Sequence, residues 1–368
     1  MNEPARTMLV GTRKGLFVLK QSKSGWKKVN YSHQTAPVPY ACVDPRNGTL
    51  WASIDHGHWG CKVHRSSDLG ETWEEIEAPK YAKSARMKSW ADTKALPAKL
   101  RYIWVITPGG LDQPGRIYLG TEPGGLFQSN DGGKTFKLVK GLWNHPSRAD
   151  QWFGGGRDFP AIHSIFVDPR DSKRVLVSIS CAGTFETTDD GKTWAPLNKG
   201  LTADFLPDPD SEIGQDPHFV AASENHPDHL WQQNHCGIFR STNGARSWRM
   251  VSKPGDTAHF GFPISVDEEN PDMAWVVPAV SDTHRVAVDG KLCVCRTTDG
   301  GRTWRAQRNG LPQRECYDVT FRHALDNSFG TLSFGTTTGN LYFSKNRGRS
   351  WDTIGNNFPP IYSVRFVR

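Results

Sequence analysis

The chain has 368 residues and a formal charge of +7, from 45 Lys and Arg against 38 Asp and Glu; that excess suits a small anionic ligand but is too slight to indicate nucleic acid. No apolar run is long enough to span a bilayer, and the start MNEPARTMLVGTRKG lacks the basic-then-apolar order of a signal peptide, so no membrane partner is expected. The 36 Gly, 24 Pro and 14 Trp indicate many turns and large packing residues, the composition of an all-β protein.

Seven cysteines (Cys42, Cys61, Cys181, Cys236, Cys293, Cys295 and Cys316) form an odd set, which favours free thiols and a cytoplasmic address. Cys293 and Cys295 have no second pair to complete a zinc ribbon and read as one face of a strand.

In chain order, the first strand is TMLVGT (7–12), followed by GLFVLKQSKSGW, an apolar run that ends at Trp26. CVDPRNGTLWASID (42–55) supplies two strands, and SSDLGETW (66–73) is the first copy of a recurring octet. The octet returns as SNDGGKTF (129–136), TTDDGKTW (187–194), STNGARSW (241–248), TTDGGRTW (297–304) and SKNRGRSW (344–351). Apolar runs precede it at GLFQS (125–129), GTFET (183–187), GIFRS (237–241) and NLYFS (340–344). Further strand pairs lie upstream in FVDPRDSKRVLVSIS (166–180) and SVDEENPDMAWVV (265–277), and IYSVRFVR (361–368) is a lone last strand. The octet aromatics fall 47 to 63 residues apart, and Trp26 stands 47 residues before Trp73, which gives seven repeats, the first without its acidic residue.

The octet has the chemistry of a hairpin turn. Asp or Asn accepts backbone N–H bonds, Gly supplies positive φ, the hydroxyls close the turn and the aromatic packs between sheets. Four strands per repeat, seven times, predict an all-β seven-bladed propeller, a single domain over 1–368. Pairing the last strand with TMLVGT closes the ring and protects both sheet edges. Long inserts are expected on one face at about 79–100, 141–160 and 198–216. The stretch 80–101 carries seven basic residues against one acidic, and reads as a binding loop or an exposed basic helix.

These octets resemble Asp-boxes, or BNR repeats, found in sialidases, some glucanases, sortilin-like receptors and photosystem assembly factors. The resemblance covers the whole chain and is similar to that of bacterial propellers labelled exo-α-sialidase or glycosyl hydrolase. It implies a ligand site on the face opposite the octets. Sialidases have six blades, an early Arg-Ile-Pro element, an arginine triad and a Tyr/Glu nucleophile pair. This chain has seven repeats, and its nearest string is RDFP at 157–160, so sialidase activity proper is not expected.

Aligning the repeats with one another, on Tyr40–Asp44, Ile162–Asp168 and Phe262–Asp267, places Pro39, Tyr102, His163, His218, Phe262, Tyr317 and Tyr362 where the first strands enter the channel. The ends of the second strands read Arg13, Asp55, Glu122, Cys181, His235, Ala279 and Thr337. Blade five adds QQNHCG (232–237), and blade two DHGHWG (55–60) with His56 and His58. Trp143, Trp152, Phe153 and a GGG run in the second insert have the character of a lid.

Four chemistries fit such a mouth. In acid–base catalysis on a small anionic or sugar-derived ligand, His163, His218, Tyr102, Tyr317 and Tyr362 exchange protons. Glu122 or Asp158 serves as acid, and Arg13, Arg101 or Arg157 holds a carboxylate. Asp55, Trp152, Cys181 and Asn234 complete the expected ligand contacts. A sialidase proper is the second. The third is a single divalent metal ion (zinc, manganese or iron) held by His163, His218 and His235, with Asp216, Glu122 or water beside them. The fourth is a non-catalytic binding or assembly propeller. Titratable groups gathered at one mouth favour hydrolase or lyase chemistry over a scaffold.

Overall fold

The computed structural model describes residues 3–89, 92 and 94–368. Seven four-stranded antiparallel sheets follow one another around a ring. Blade 2 is built from Tyr40–Val43, Leu50–His56, Gly60–Ser66 and Glu74–Ile76, and blade 3 from Tyr102–Pro108, Ile117–Glu122, Leu126–Ser129 and Lys137–Leu138. Blade 4 begins at Ile162–Val167, blade 5 at Pro217–Ser223, blade 6 at Gly261–Val266 and blade 7 at Leu325–Ser328. Blade 1 joins the two ends of the sequence. Ile361–Val367 is its innermost strand and pairs antiparallel with Thr7–Thr12, with Gly15–Ser22 and Gly25–Ser32 outside it. The first strands of successive blades touch around the whole ring and form the channel wall.

Each octet is the turn between the third and fourth strands. In blade 3, Ser129 Oγ accepts the N–H groups of Gly133 (2.8 Å) and Asp131 (3.2 Å) and donates to Asp131 Oδ1 (2.7 Å). The other end of the Asp131 carboxylate accepts from the Thr135 hydroxyl at 2.7 Å. Gly133 has φ 86°, and a Cβ there would strike the Trp51 ring of blade 2, so this glycine serves both turn and inter-blade packing. Two of the octet tryptophans tie their blade to the one before it. Trp248 Nε1–H donates to Leu197 O of the preceding blade, and Trp304 Nε1–H to Val251 O, each at 2.8 Å.

Between blades the core is apolar and buried. Trp231, Ile238 and Val251 of blade 5 meet Ile264, Val276 and Cys295 of blade 6 in one cluster. All seven cysteines are free thiols. Cys293 and Cys295 lie buried with their sulfurs 3.9 Å apart, on one face of the chain as their spacing predicts.

First strands begin and second strands end on the face opposite the octet turns, and the inserts gather there. Trp90, Ala91 and Thr93 of the basic insert lie outside the described residues. Its described part forms a short hairpin, Arg86–Met87 with Leu96–Pro97, rather than a helix, and is anchored by the Tyr81 hydroxyl on Thr121 Oγ1 at 2.9 Å. The second insert folds as two single-turn helices, Lys140–Trp143 and Arg148–Gln151, followed by the glycines at 154–156.

Candidate active site at the channel mouth

A cavity of about 600 Å³ opens where the first strands begin, within the range of small-molecule sites. Pro39, Tyr102, His163, His218, Phe262 and Tyr362 line it, each at the start of its blade. Asp55, Cys181 and His235 reach it from the ends of second strands. Inserts and connecting loops add Phe153, Arg157, Phe205, Phe260, Asp282 and Arg285.

The seventh position is occupied by Arg322, with Phe321 and His323 beside it. Tyr317, expected there, is 70% exposed and does not line the cavity. Hydrogen-bonded strand in blade 7 starts only at Leu325, so the chain from 317 to 322 runs in along an irregular path. A signal was present: the mouth residue stands five positions before the turn residue in Pro39/Asp44, His163/Asp168 and Phe262/Asp267, and counting back from Asn327 gives Arg322.

Several other expected residues stand behind or beside the wall. Glu122 is buried and ion-paired with Arg157. Trp152 is buried against Phe185 and donates Nε1–H to Ser147 Oγ at 2.9 Å, which makes it an anchor of the insert. Asn234 is buried in the hairpin turn, donating to Gln232 Oε1 and accepting from Cys236 N–H. Arg13 and Asp158 are exposed outside the cavity, and Arg101 lies over the Phe159 ring.

Three titratable groups converge on one side. Asp216 precedes the first strand of blade 5, and His218 follows two residues on, on the same face. His235 ends the adjacent strand, where its N–H donates to Asp216 O at 3.0 Å. His218 Nε2 and His235 Nδ1 each lie 3.5 Å from Asp216 Oδ2. One donor atom from each of the three falls within 4.8 Å of the others. His163 lines the same cavity against Trp104 but lies outside this group, and its Nδ1 is buried without a partner among the described residues.

Burial governs the protonation of the wall. It pushes the Tyr102 and Tyr362 phenols and the Cys181 thiol up, so all three hold their protons at neutral pH. It raises Asp55 and Glu122 too, with Arg157 pulling both back. Burial, reinforced by Arg322, drives His163 far below the usual imidazole range. For Asp216, burial is outweighed by His218 and His235, which hold it well below the usual carboxylate range. Burial also lowers His218 against the pull of Asp216, whereas in His235 the carboxylates of Asp216 and Asp282 prevail and raise it.

Arg322 is a poorly compensated charge in the site. Its Nε is buried without a hydrogen-bond partner among the described residues. The guanidinium is flanked by the Trp104 and Phe262 rings at 5.5 and 5.1 Å from their centroids. Burial lowers its pKa to about 10, with Asp216 opposing the drop.

No protein-family model matches the chain. Among curated proteins it is similar to xyloglucanase Xgh74A of Acetivibrio thermocellus, 24% identical over 291 residues that cover 72% of this chain and 31% of the relative. It is also similar to the oligoxyloglucan-reducing end-specific xyloglucanase of Emericella nidulans, 25% identical over 240 residues, 61% of this chain and 27% of that one. The chain therefore spans less than a third of the length of these relatives. Among solved structures, an ancestral GH74 enzyme superposes with a TM-score of 0.61 at 14% identity, covering 97% of this chain and 41% of that one. The likeness at that identity is one of fold. Among the described residues, no helix is long and apolar enough to cross a membrane.

Proposed function

We propose that the channel mouth takes a small anionic, sugar-derived ligand and that the protein acts on it by hydrolase- or lyase-type proton transfer. The observation that carries this reading is Arg322. A half-buried arginine whose Nε is buried and without a partner among the described residues, at the wall of a cavity also lined by Arg157 and Arg285, is a poorly compensated cation that an anion would satisfy. A carboxylate or phosphate on the ligand supplies that charge, and the planar guanidinium suits both. Xyloglucanases among the relatives support the sugar-derived part, and the cavity of about 600 Å³ is of small-molecule size.

Within this reading, His218 donates Nδ1–H to Gly261 O at 2.7 Å and so presents Nε2 to the cavity as an acceptor. Tyr102 and Tyr362 keep their phenolic protons and serve as donors to the ligand. His163, whose Nδ1 has no partner among the described residues, is a further hydrogen-bonding group.

The aromatic wall of Phe153, Phe205, Phe260 and Phe262 supports a second reading, a propeller that binds its ligand or a partner protein without turnover. A thermal-shift screen of hexuronic acids, aldonic acids and sugar phosphates, beside their neutral parents and xyloglucan oligosaccharides, tests the proposal. Stabilisation by acids, lost in Arg322→Met, supports an anion site, and NMR of the incubated hits separates turnover from binding. Stabilisation by neutral oligosaccharides alone would overturn it.

A further inference from the structure

We propose that Asp216, His218 and His235 form a mononuclear centre for a divalent transition metal, with a coordination position open to the cavity. The centre stands on its donor geometry; only its use toward an anionic ligand rests on the reading above.

Two of the three donor spacings are those of a first coordination sphere, and all three donors lie within 4.8 Å of one another. Metal–ligand bonds of about 2.1 Å at tetrahedral angles put donor atoms about 3.4 Å apart. Both histidine donors lie 3.5 Å from Asp216 Oδ2. These contacts are long for hydrogen bonds. Electron pairs of three donors aimed at one point repel one another unless a proton or a metal cation sits between them, and a metal satisfies all three at once.

The surroundings fix each donor from behind, the usual arrangement around a bound metal. His218 commits Nδ1–H to Gly261 O at 2.7 Å, which leaves Nε2 as its donor. His235 turns Nε2 toward the carboxylate of Asp282 at 3.8 Å and offers Nδ1. Asp216 Oδ1 accepts the Cys181 N–H at 3.2 Å, which leaves Oδ2 for the centre. Thus His218 and Asp216 each have one atom held by a hydrogen bond and one turned inward, while His235 faces a second carboxylate on its outer side. Gly155 passes over this point, where a Cβ would lie 3.8 Å from Asp216 Oδ2, so the lid closes there with no side chain to fill the open position.

Two imidazoles and one carboxylate, with room for exogenous ligands, suit Zn²⁺, Fe²⁺ or Mn²⁺. The ligand class that matches is a hydroxy acid or sugar acid. One oxygen would bind the metal while its anionic group meets Arg322, which lines the same cavity. A bound metal would polarise that oxygen or lower the pKa of a bound water.

The test uses full-length, untagged protein stripped with chelator and re-equilibrated separately with Zn²⁺, Mn²⁺, Fe²⁺ and Co²⁺. About one metal ion per chain is expected by elemental analysis, with a visible Co²⁺ absorption spectrum reporting low coordination number. Asp216→Asn and His235→Gln should each weaken metal affinity by about 10-fold or more, while His163→Gln retains it. Circular dichroism confirms that each variant is folded, and His235→Gln, altering a half-buried side chain, keeps the test valid where Asp216→Asn does not fold. Substoichiometric metal in folded wild-type protein, or unchanged affinity in folded His235→Gln, would overturn the centre. Metal binding without a thermal shift by any acid would leave the centre standing and remove the anion reading. An acid shift that is identical before and after stripping would remove the metal's role toward the ligand.

Discussion

Arg322 carries its guanidinium over the indole of Trp104, 5.5 Å from the ring centroid, with no hydrogen-bond partner for its buried Nε among the described residues. The two side chains come from blades 7 and 3, so the cation is held across the channel by packing. Replacing it with methionine keeps most of the volume and removes a poorly compensated charge. Arg322→Met is therefore expected to raise the unfolding free energy by about 1–2 kcal/mol and to weaken an anionic ligand about 10-fold or more. Thermal melts with and without ligand check both directions, and a variant that loses stability as well would mark Arg322 as structural.

His323 donates Nε2–H to His163 O at 2.8 Å, and burial lowers its pKa to about 3. The unfolded chain takes up this proton near pH 6.5, whereas the folded chain resists it until about pH 3. Stability is then lost as pH falls through this window, by about 2 kcal/mol at pH 5 from this group alone. His323→Gln keeps a donor and removes the titration. Its melting temperature should fall less than the wild type's between pH 7.5 and pH 5; an equal fall would show that His323 is not a source of acid sensitivity.

Ser129 holds the octet turn of blade 3, accepting from Gly133 and Asp131 and donating to the Asp131 carboxylate. Ser129→Ala leaves the buried Gly133 N–H without its acceptor and should cost about 1–3 kcal/mol. The turn lies on the face opposite the cavity, so ligand affinity measured well below the melting transition should not change. A change in affinity would place the octets in function as well as in architecture.

Gly155 sits in the insert above Cys181 and Asp216, and a Cβ would lie 2.9 Å from the Cys181 sulfur. Gly155→Ala should displace the insert and weaken ligand several-fold while leaving the melting temperature of the unliganded protein near that of the wild type. Unchanged affinity would mean that the glycine run does not form part of the closed site.

The fold was legible because the octet is local chemistry. Ser129, Asp131 and Gly133 make their turn with one another, so the repeat that marks them in the sequence also marks blade and ring. Pro39, Tyr102, His163, His218, Phe262 and Tyr362 could be placed at the mouth because each begins a regular strand. Tyr317 could not, since blade 7 enters along an irregular path and Arg322 takes the position. Glu122, Trp152 and Asn234 show the converse limit. Repeat spacing placed Glu122 and the blade-five turn placed Asn234 near the mouth, and an insert placed Trp152 there, but Arg157, Gln232 and the pair Ser147 and Phe185 turn these side chains into the wall. Asp282, Arg285 and Phe205 enter from loops, where no periodicity indicates direction.

The most direct measurement is isothermal titration of the best-stabilising sugar acid and its neutral parent, each into wild-type and Arg322→Met protein. The expected result is a preference for the acid of about 10-fold or more in the wild type, as for charge-assisted recognition, and its collapse in Arg322→Met. Equal affinity for acid and neutral parent in the wild type, or an acid preference that survives the substitution, would contradict an anion site built around Arg322.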